Sequence, residues 1–204
     1  MIPLLDTKAD KDEIEKLSNF PKPDYSPHFI TPIVIPLVSK LNPDSVMRDA
    51  NVLFDLGEGP RLYSSCPSKS AGWLVYDKGN SGSIKTGYQM FGNYTFFLFW
   101  KNGYEALSSL DNNQDGKLEG GELKDLAVWS DKNCDGKRTK DEIQTLTQLG
   151  VVSISCAGTL DRQNMLSCEK GIYFATGESR KTFDFILQET SEKSLVQSRP
   201  ENKL

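Results

Sequence analysis

Two short stretches carry oxygen-bearing side chains at spacings that suit a hard divalent cation. Residues 111–122 read DNNQDGKLEGGE and residues 131–142 read DKNCDGKRTKDE. In each, an oxygen-bearing side chain stands at positions 1, 3, 5, 9 and 12, and a glycine at position 6. Calcium takes six to eight oxygens at roughly 2.3–2.6 Å, so the chain must curl and present an oxygen at alternate positions. The first loop offers Asp111, Asn113, Asp115, the Lys117 carbonyl, Glu119 and Glu122. The second offers Asp131, Asn133, Asp135, the Lys137 carbonyl, Thr139 and Glu142. Gly116 and Gly136 permit the positive φ of the sharp turn.

This is the loop pattern of an EF-hand, and it predicts two Ca2+ ions. The loops differ in charge. The first has four acids and one base; the second has four acids and four bases, Lys132, Lys137, Arg138 and Lys140. Ligand charge tunes affinity, so the first loop is expected to bind more tightly. Position 8 is aliphatic in the first loop, Leu118, and basic in the second, Arg138. Eight residues, 123–130, separate the loops. A single short helix is therefore expected to serve as exit of one and entrance of the other, holding the ions roughly 15–25 Å apart.

Upstream, residues 77–89 (DKGNSGSIKTGYQ) look like a degenerate third loop. Asp77 holds position 1, Gly82 position 6 and Ile84 position 8. Gly79 and Ser81 replace two ligands, and the closing acid is absent, with Tyr88 at position 12 and Gln89 beyond it. It is expected to hold metal poorly or not at all, with Ile84 forming a short β-bridge to Leu118.

The elements that must position these loops read as a mixed set. A helix is predicted from about Gly103 to Leu110, with Asn102 as N-cap and Glu105 at the capping-box spacing. Two more are predicted at about 121–129 and 140–149, the latter stopped by Gly150. Strands are predicted at Val52–Leu56, Gly72–Tyr76 and Val151–Ser155. A hairpin of Gly171–Ala175 and Lys181–Leu187 turns around Thr176–Ser179. The apolar run Tyr94–Trp100 is expected to be a buried strand or core segment. The fold class expected is α+β: a compact domain with closely spaced EF-hand loops sharing one helix, flanked by β-strands and a C-terminal hairpin.

Residues 1–50 hold seven of the ten prolines and no glycine. Beyond a short helix at about Asp10–Leu17 they read as a proline-rich arm or linker. The alternative is an arm whose Ile33, Val34, Ile35, Leu37 and Val38 pack on the domain behind it. The calcium-binding domain is expected over 51–189, and a polar tail over 190–204. The four cysteines allow three pairings. Cys156 and Cys168 flank a turn and could pair, Cys66 is unassigned, and Cys134 at position 4 of the second loop is expected to be exposed.

The net charge of −4 argues against nucleic acid as a partner. No apolar run approaches the roughly 20 residues of a membrane span. The start, MIPLL, lacks the marks of a signal peptide. There is no HExxH, GxSxG or phosphate loop, and the single histidine, His28, lies among prolines without partners for catalysis.

The words GWLVYDKGNSGSIKTGYQMFGNYT, NGYEALSSLDNNQDGKLEGGELKDLAVWSDKNCDGK and LTQLGVVSIS resemble an EF-hand-like calcium-binding module of bacterial secreted and surface proteins, of the kind found beside haemolysin-type repeats. The resemblance covers about residues 52–155. It implies calcium binding and a location outside the cytoplasm, extracellular or periplasmic, and it implies no particular activity. The expected function is calcium binding that stabilises the fold, with a protein-binding surface for a partner the sequence does not identify. The alternatives are a calcium sensor and, less favoured, a carboxylate-based hydrolase. No catalytic residues and no enzyme activity are expected.

Overall fold

The structure is a computed structural model that describes residues 29–55, 60–161 and 164–189. The helix predicted at 10–17 and the tail from 190 lie outside these residues.

Three consecutive β-branched side chains, Ile33, Val34 and Ile35, set the architecture. β1 (Phe29–Ile30) is followed by β2 (Ile33–Pro36), whose four residues are all buried. After it come β3 (Met47–Asp55), β4 (Pro60–Pro67) and β5 (Ala71–Tyr76). A helix, α1 (Gly103–Ser108), then leads into the first acidic loop. The remaining strands are β6 (Lys117–Glu119), β7 (Leu126–Trp129), β8 (Ile143–Thr145), β9 (Val151–Ser155), β10 (Thr159–Leu160), β11 (Leu166–Phe174), β12 (Ser179–Asp184) and β13 (Leu187–Gln188).

Nine of them form one antiparallel sheet in the order β6-β9-β11-β12-β2-β5-β7-β8, with β10 added on β11. β3 pairs with β4 and β1 with β13 in two further two-stranded sheets. Side chains alternate faces along a strand, and β2, β5 and β7 are covered on both. Val34, Trp73, Val75, Ala127 and Trp129 enter one core with Val52, Phe54, Tyr63 and Cys66 of the β3–β4 hairpin. Ile33, Ile35, Leu74, Leu126 and Val128 enter the other with Tyr104, Ala106 and Leu107 of α1 and with Leu118, Leu146, Ile154 and Ile172.

Several expectations are met. α1 begins at Gly103, and the Asn102 side chain accepts from the Glu105 amide at 2.9 Å. Strands lie over 52–55, 72–76 and 151–155, and the β11–β12 hairpin turns at Gly177 with φ 84°.

The fold class is corrected: this is a predominantly β protein, with one α-helix among the described residues. The shared helix at 121–129 is a 3-10 turn over Gly120–Leu123 followed by β7. The helix at 140–149 is a 3-10 turn over Lys140–Glu142 followed by β8. The cause is two-sided burial. Leu126, Ala127, Val128 and Trp129 are all apolar because both faces of β7 are covered, so no period-2 signal survives in the sequence.

The run Tyr94–Trp100 is neither a strand nor a core segment as a whole. Phe97 and Phe99 are 74% and 75% exposed, on a turn where Phe96 and Phe97 take φ of 59° and 61°. Residues 33–36, read first as part of an arm, are a middle strand: of the packing alternative, Ile33, Val34 and Ile35 are buried and Leu37 is partly so, while Val38 is exposed.

Candidate functional site

The first loop leaves the end of α1, where the Asp111 amide donates to the Ser108 carbonyl at 3.1 Å. Its second half contains β6, paired to β9 through Leu118 opposite Ile154. The second loop joins β7 to β8, with Trp129 opposite Ile143.

Both loops curl by the same backbone device. Positions 4 and 6 are left-handed in each: Gln114 (φ 58°) and Gly116 (86°), Cys134 (55°) and Gly136 (68°). This turns the amides of positions 5 and 6 onto the first aspartate. Asp111 accepts from Asp115 at 3.3 Å and Gly116 at 2.8 Å. Asp131 accepts from Asp135 at 3.2 Å and Gly136 at 3.0 Å. Asn113 and Asn133 accept from the Asp115 and Asp135 amides, and those aspartates accept from the Lys117 and Lys137 amides. The closing glutamates reach back across the loop. Glu122 accepts from Asn112 at 2.8 Å and Glu119 at 3.2 Å; Glu142 accepts from Lys132 at 3.1 Å and Thr139 at 2.9 Å.

The degenerate loop shares this geometry. Asn80 and Gly82, its positions 4 and 6, have φ of 51° and 63°. Asp77 accepts from Ser81 Oγ and the Gly82 amide. In place of a closing acid, Gln89 donates to the Tyr76 and Ser83 carbonyls and accepts from the Lys85 amide. A neutral amide can both donate and accept, so this loop closes on itself with hydrogen bonds alone. Ile84 does not bridge to Leu118; Leu118 pairs with Ile154, and Ile84 sits in the other core.

Charge and burial act on groups in and beside the loops. Burial pushes the Asp131 carboxyl above its usual value; donation from Gly136 and Asp135 opposes this, and the charges of Glu142 and Asp135 add to it. Beside the first loop, burial pushes the Cys156 thiol up to about 12, with the charges of Asp111, Glu122 and Asp115 contributing. The position-9 residues stand apart. Glu119 pairs with Lys117 Nζ at 2.7 Å, which holds its carboxyl below the usual range, and Thr139 is exposed.

The sequence reading missed three features. The disulfide is Cys66–Cys134, while Cys156 and Cys168, the pair judged able to bond, are both free. Arg48 of β3 donates from Nη2 to the Lys132 carbonyl at 2.8 Å. Asp184 is 6% exposed and accepts from the Gly103 amide at 2.6 Å. Burial, opposed in part by that bond, pushes its carboxyl up to about 7. A lone acid inside the apolar run Thr182-Phe183-Asp184-Phe185-Ile186 is the signal that could have marked it.

Among the described residues no group of three or more His, Cys, Asp and Glu side chains forms a metal-holding cluster. The same carboxylate oxygens serve instead as acceptors for loop amides. The chain's match among family models is the SPM domain, over residues 41–188. It is also similar to the iron-regulated protein FrpA of Neisseria meningitidis serogroup C, 34% identical over 150 residues. That alignment covers 68% of this chain and 13% of the relative, so the chain spans a small part of the relative's length. The identification as an EF-hand-like module is therefore overturned: the matching family is a different one, and the described residues hold one α-helix rather than the paired helices of an EF-hand. The descriptor EF-hand that came with it is withdrawn with it, and the described residues hold no preformed cluster to support the descriptors calcium-binding and metal-binding.

Proposed function

The chain belongs to the SPM domain family, and from that premise we propose that it is a β-sheet module in which loops 111–122 and 131–142 each take a calcium ion that stabilises the fold. The feature that supports this best is the shared curl of the two loops. Each turns its first aspartate, its asparagine, its second aspartate and its closing glutamate onto the amides of a single twelve-residue turn.

The donor set is hard oxygen throughout: three carboxylates, a side-chain amide and a main-chain carbonyl in each loop, with Glu119 adding a fourth carboxylate to the first and Thr139 a hydroxyl to the second, the set calcium prefers. An ion there would neutralise carboxylates that otherwise repel one another, and would bind the folded loop far better than the unfolded chain. The degenerate loop, closed by Gln89, keeps Asp77 but lacks the closing acid, and holds an ion poorly or not at all.

The location proposed is outside the reducing cytosol. The Cys66–Cys134 disulfide supports this, because such bonds persist in oxidising compartments. No helix among the described residues is long and apolar enough to cross a membrane. Neither the family's description nor the relative's name is that of an enzyme, and the role proposed is structural, with a protein partner whose identity is open. Calorimetric titration with calcium chloride tests it. Two binding steps are expected, one removed by Glu122→Gln and the other by Glu142→Gln. A flat titration of the wild-type protein would refute the proposal.

A further inference from the structure

The second loop is held from outside by a hairpin that has no counterpart at the first. Three independent contacts join them. The Cys66–Cys134 disulfide links β4 to position 4 of the loop, across 68 residues of sequence and with a Cα–Cα distance of 6.0 Å. Arg48 of β3 donates from Nη2 to the carbonyls of Lys132 (2.8 Å) and Asp131 (3.3 Å), and from Nε to the Pro67 carbonyl at 3.2 Å. One guanidinium, a rigid planar fork, thus spans hairpin and loop. Finally, Gly136 packs on the hairpin backbone: a Cβ there would lie 2.1 Å from the Leu53 carbonyl oxygen and 3.1 Å from Val52 Cγ1. Gly116, its equivalent in the first loop, has nothing within 4 Å of a Cβ.

We infer that the β3–β4 hairpin is a redox-released clamp on loop 131–142, with Arg48, Cys66 and Cys134 as positioning residues that hold the loop in its curled form. Cys134 is half-buried and Cys66 is 1% exposed, so an external thiolate meets the Cys134 sulfur first. With a small dithiol the thiolate attacks that sulfur, Cys66 leaves as thiolate, and the second thiol of the reagent closes on the mixed disulfide. Two protein thiols and one cyclic disulfide result, and two electrons pass to the protein. The cross-link then no longer limits the loop's open conformations, and of the hairpin's three contacts only the Arg48 hydrogen bonds and the packing of Gly136 remain. The consequence for ion binding rests on the calcium reading; the clamp itself does not.

The second loop carries its own cleavage sites, Lys132, Lys137, Arg138 and Lys140, while the first holds Lys117 alone. The test is tryptic digestion of the full chain in chelator, with and without dithiothreitol, the fragments identified by mass. Cleavage within 132–140 should rise at least tenfold on reduction and that at Lys117 less than twofold. Cys66→Ser should match the reduced protein, and Arg48→Ala should raise cleavage a few-fold with the disulfide intact. A parallel calcium titration should show the step that Glu142→Gln removes weakened about tenfold by reduction, the other spared. Selective cleavage with no calcium heat in either state would sustain the clamp and remove the calcium reading. Calcium heats in both states with cleavage unchanged by reduction would overturn the clamp. So would a uniform rise at all lysines and arginines with loss of near-ultraviolet circular dichroism, which would make the disulfide a staple of the whole fold.

Discussion

Loops 111–122 and 131–142 share a ligand order and a backbone turn, yet different parts of the molecule hold them. The first is anchored by its own strand: β6 lies inside the loop and pairs with β9, and the Cys156 amide donates to the Gly116 carbonyl at 2.9 Å. Its ligand side chains are exposed or half-buried. The second has no internal strand and is gripped by the β3–β4 hairpin, with Asp131 and Glu142 only 3% and 5% exposed. The twelve-residue pattern specifies the curl. Its surroundings decide whether the loop depends on a strand beneath it or on a covalent clamp beside it.

The sharpest way to break this comparison is to cut the clamp. Reducing Cys66–Cys134 should lower stability by about 2–5 kcal/mol, the usual effect of losing a native disulfide, as read by urea denaturation in chelator. A smaller effect separates the two loop glycines. Both have positive φ, so alanine strains either by roughly 1–2 kcal/mol. Gly136→Ala also drives a methyl into the Leu53 carbonyl and should cost at least about 1 kcal/mol more than Gly116→Ala. Equal losses at the two positions would mean that the hairpin does not grip the second loop.

Proton linkage gives a further contrast. With its carboxyl raised by burial, Asp131 is more easily protonated in the folded state. Its contribution to stability is therefore fully present below its unfolded value and lost as pH rises through the raised one. In chelator, Asp131→Asn should flatten that part of the stability-pH profile. In calcium, affinity at the second loop should fall as acid protonates Asp131. Asp184, pushed up to about 7 in a region remote from both loops in sequence, serves as the reference. Asp184→Asn should stabilise the protein at pH 8 by roughly 2–4 kcal/mol and leave it little changed at pH 4. The smallest effect expected is that of Glu119→Gln. Its pair with Lys117 is exposed and screened by solvent, so unfolding in chelator should scarcely move.

Much of the loops was legible because the pattern is local. The curl and its glycine at position 6 follow from residues within twelve of one another, while the left-handed position 4 and the acids' role as acceptors for loop amides came only with the structure. The helix capped by Asn102 and the β11–β12 hairpin were legible for the same reason. The shared helix was not, because burial of both faces of β7 erased the alternation that marks a strand. β2 was hidden by Pro32 and Pro36, which bracket a middle strand and made it look like an arm. The clamp could not be read at all: Arg48, Cys66 and Cys134 meet only through the packing of a hairpin against a loop far along the chain. The paired-helix frame was the error, since it attached to the loops the helices that usually flank such a pattern.

Thermal unfolding of the full chain, with calcium chloride and then with chelator, tests the central claim most directly. Calcium at 100 times its dissociation constant adds about 2.7 kcal/mol per site, which for a chain of this size raises Tm by about 5 °C or more. The account predicts such a rise, reversed by chelator and roughly halved by either Glu122→Gln or Glu142→Gln. Superimposable melts in calcium and in chelator would contradict it.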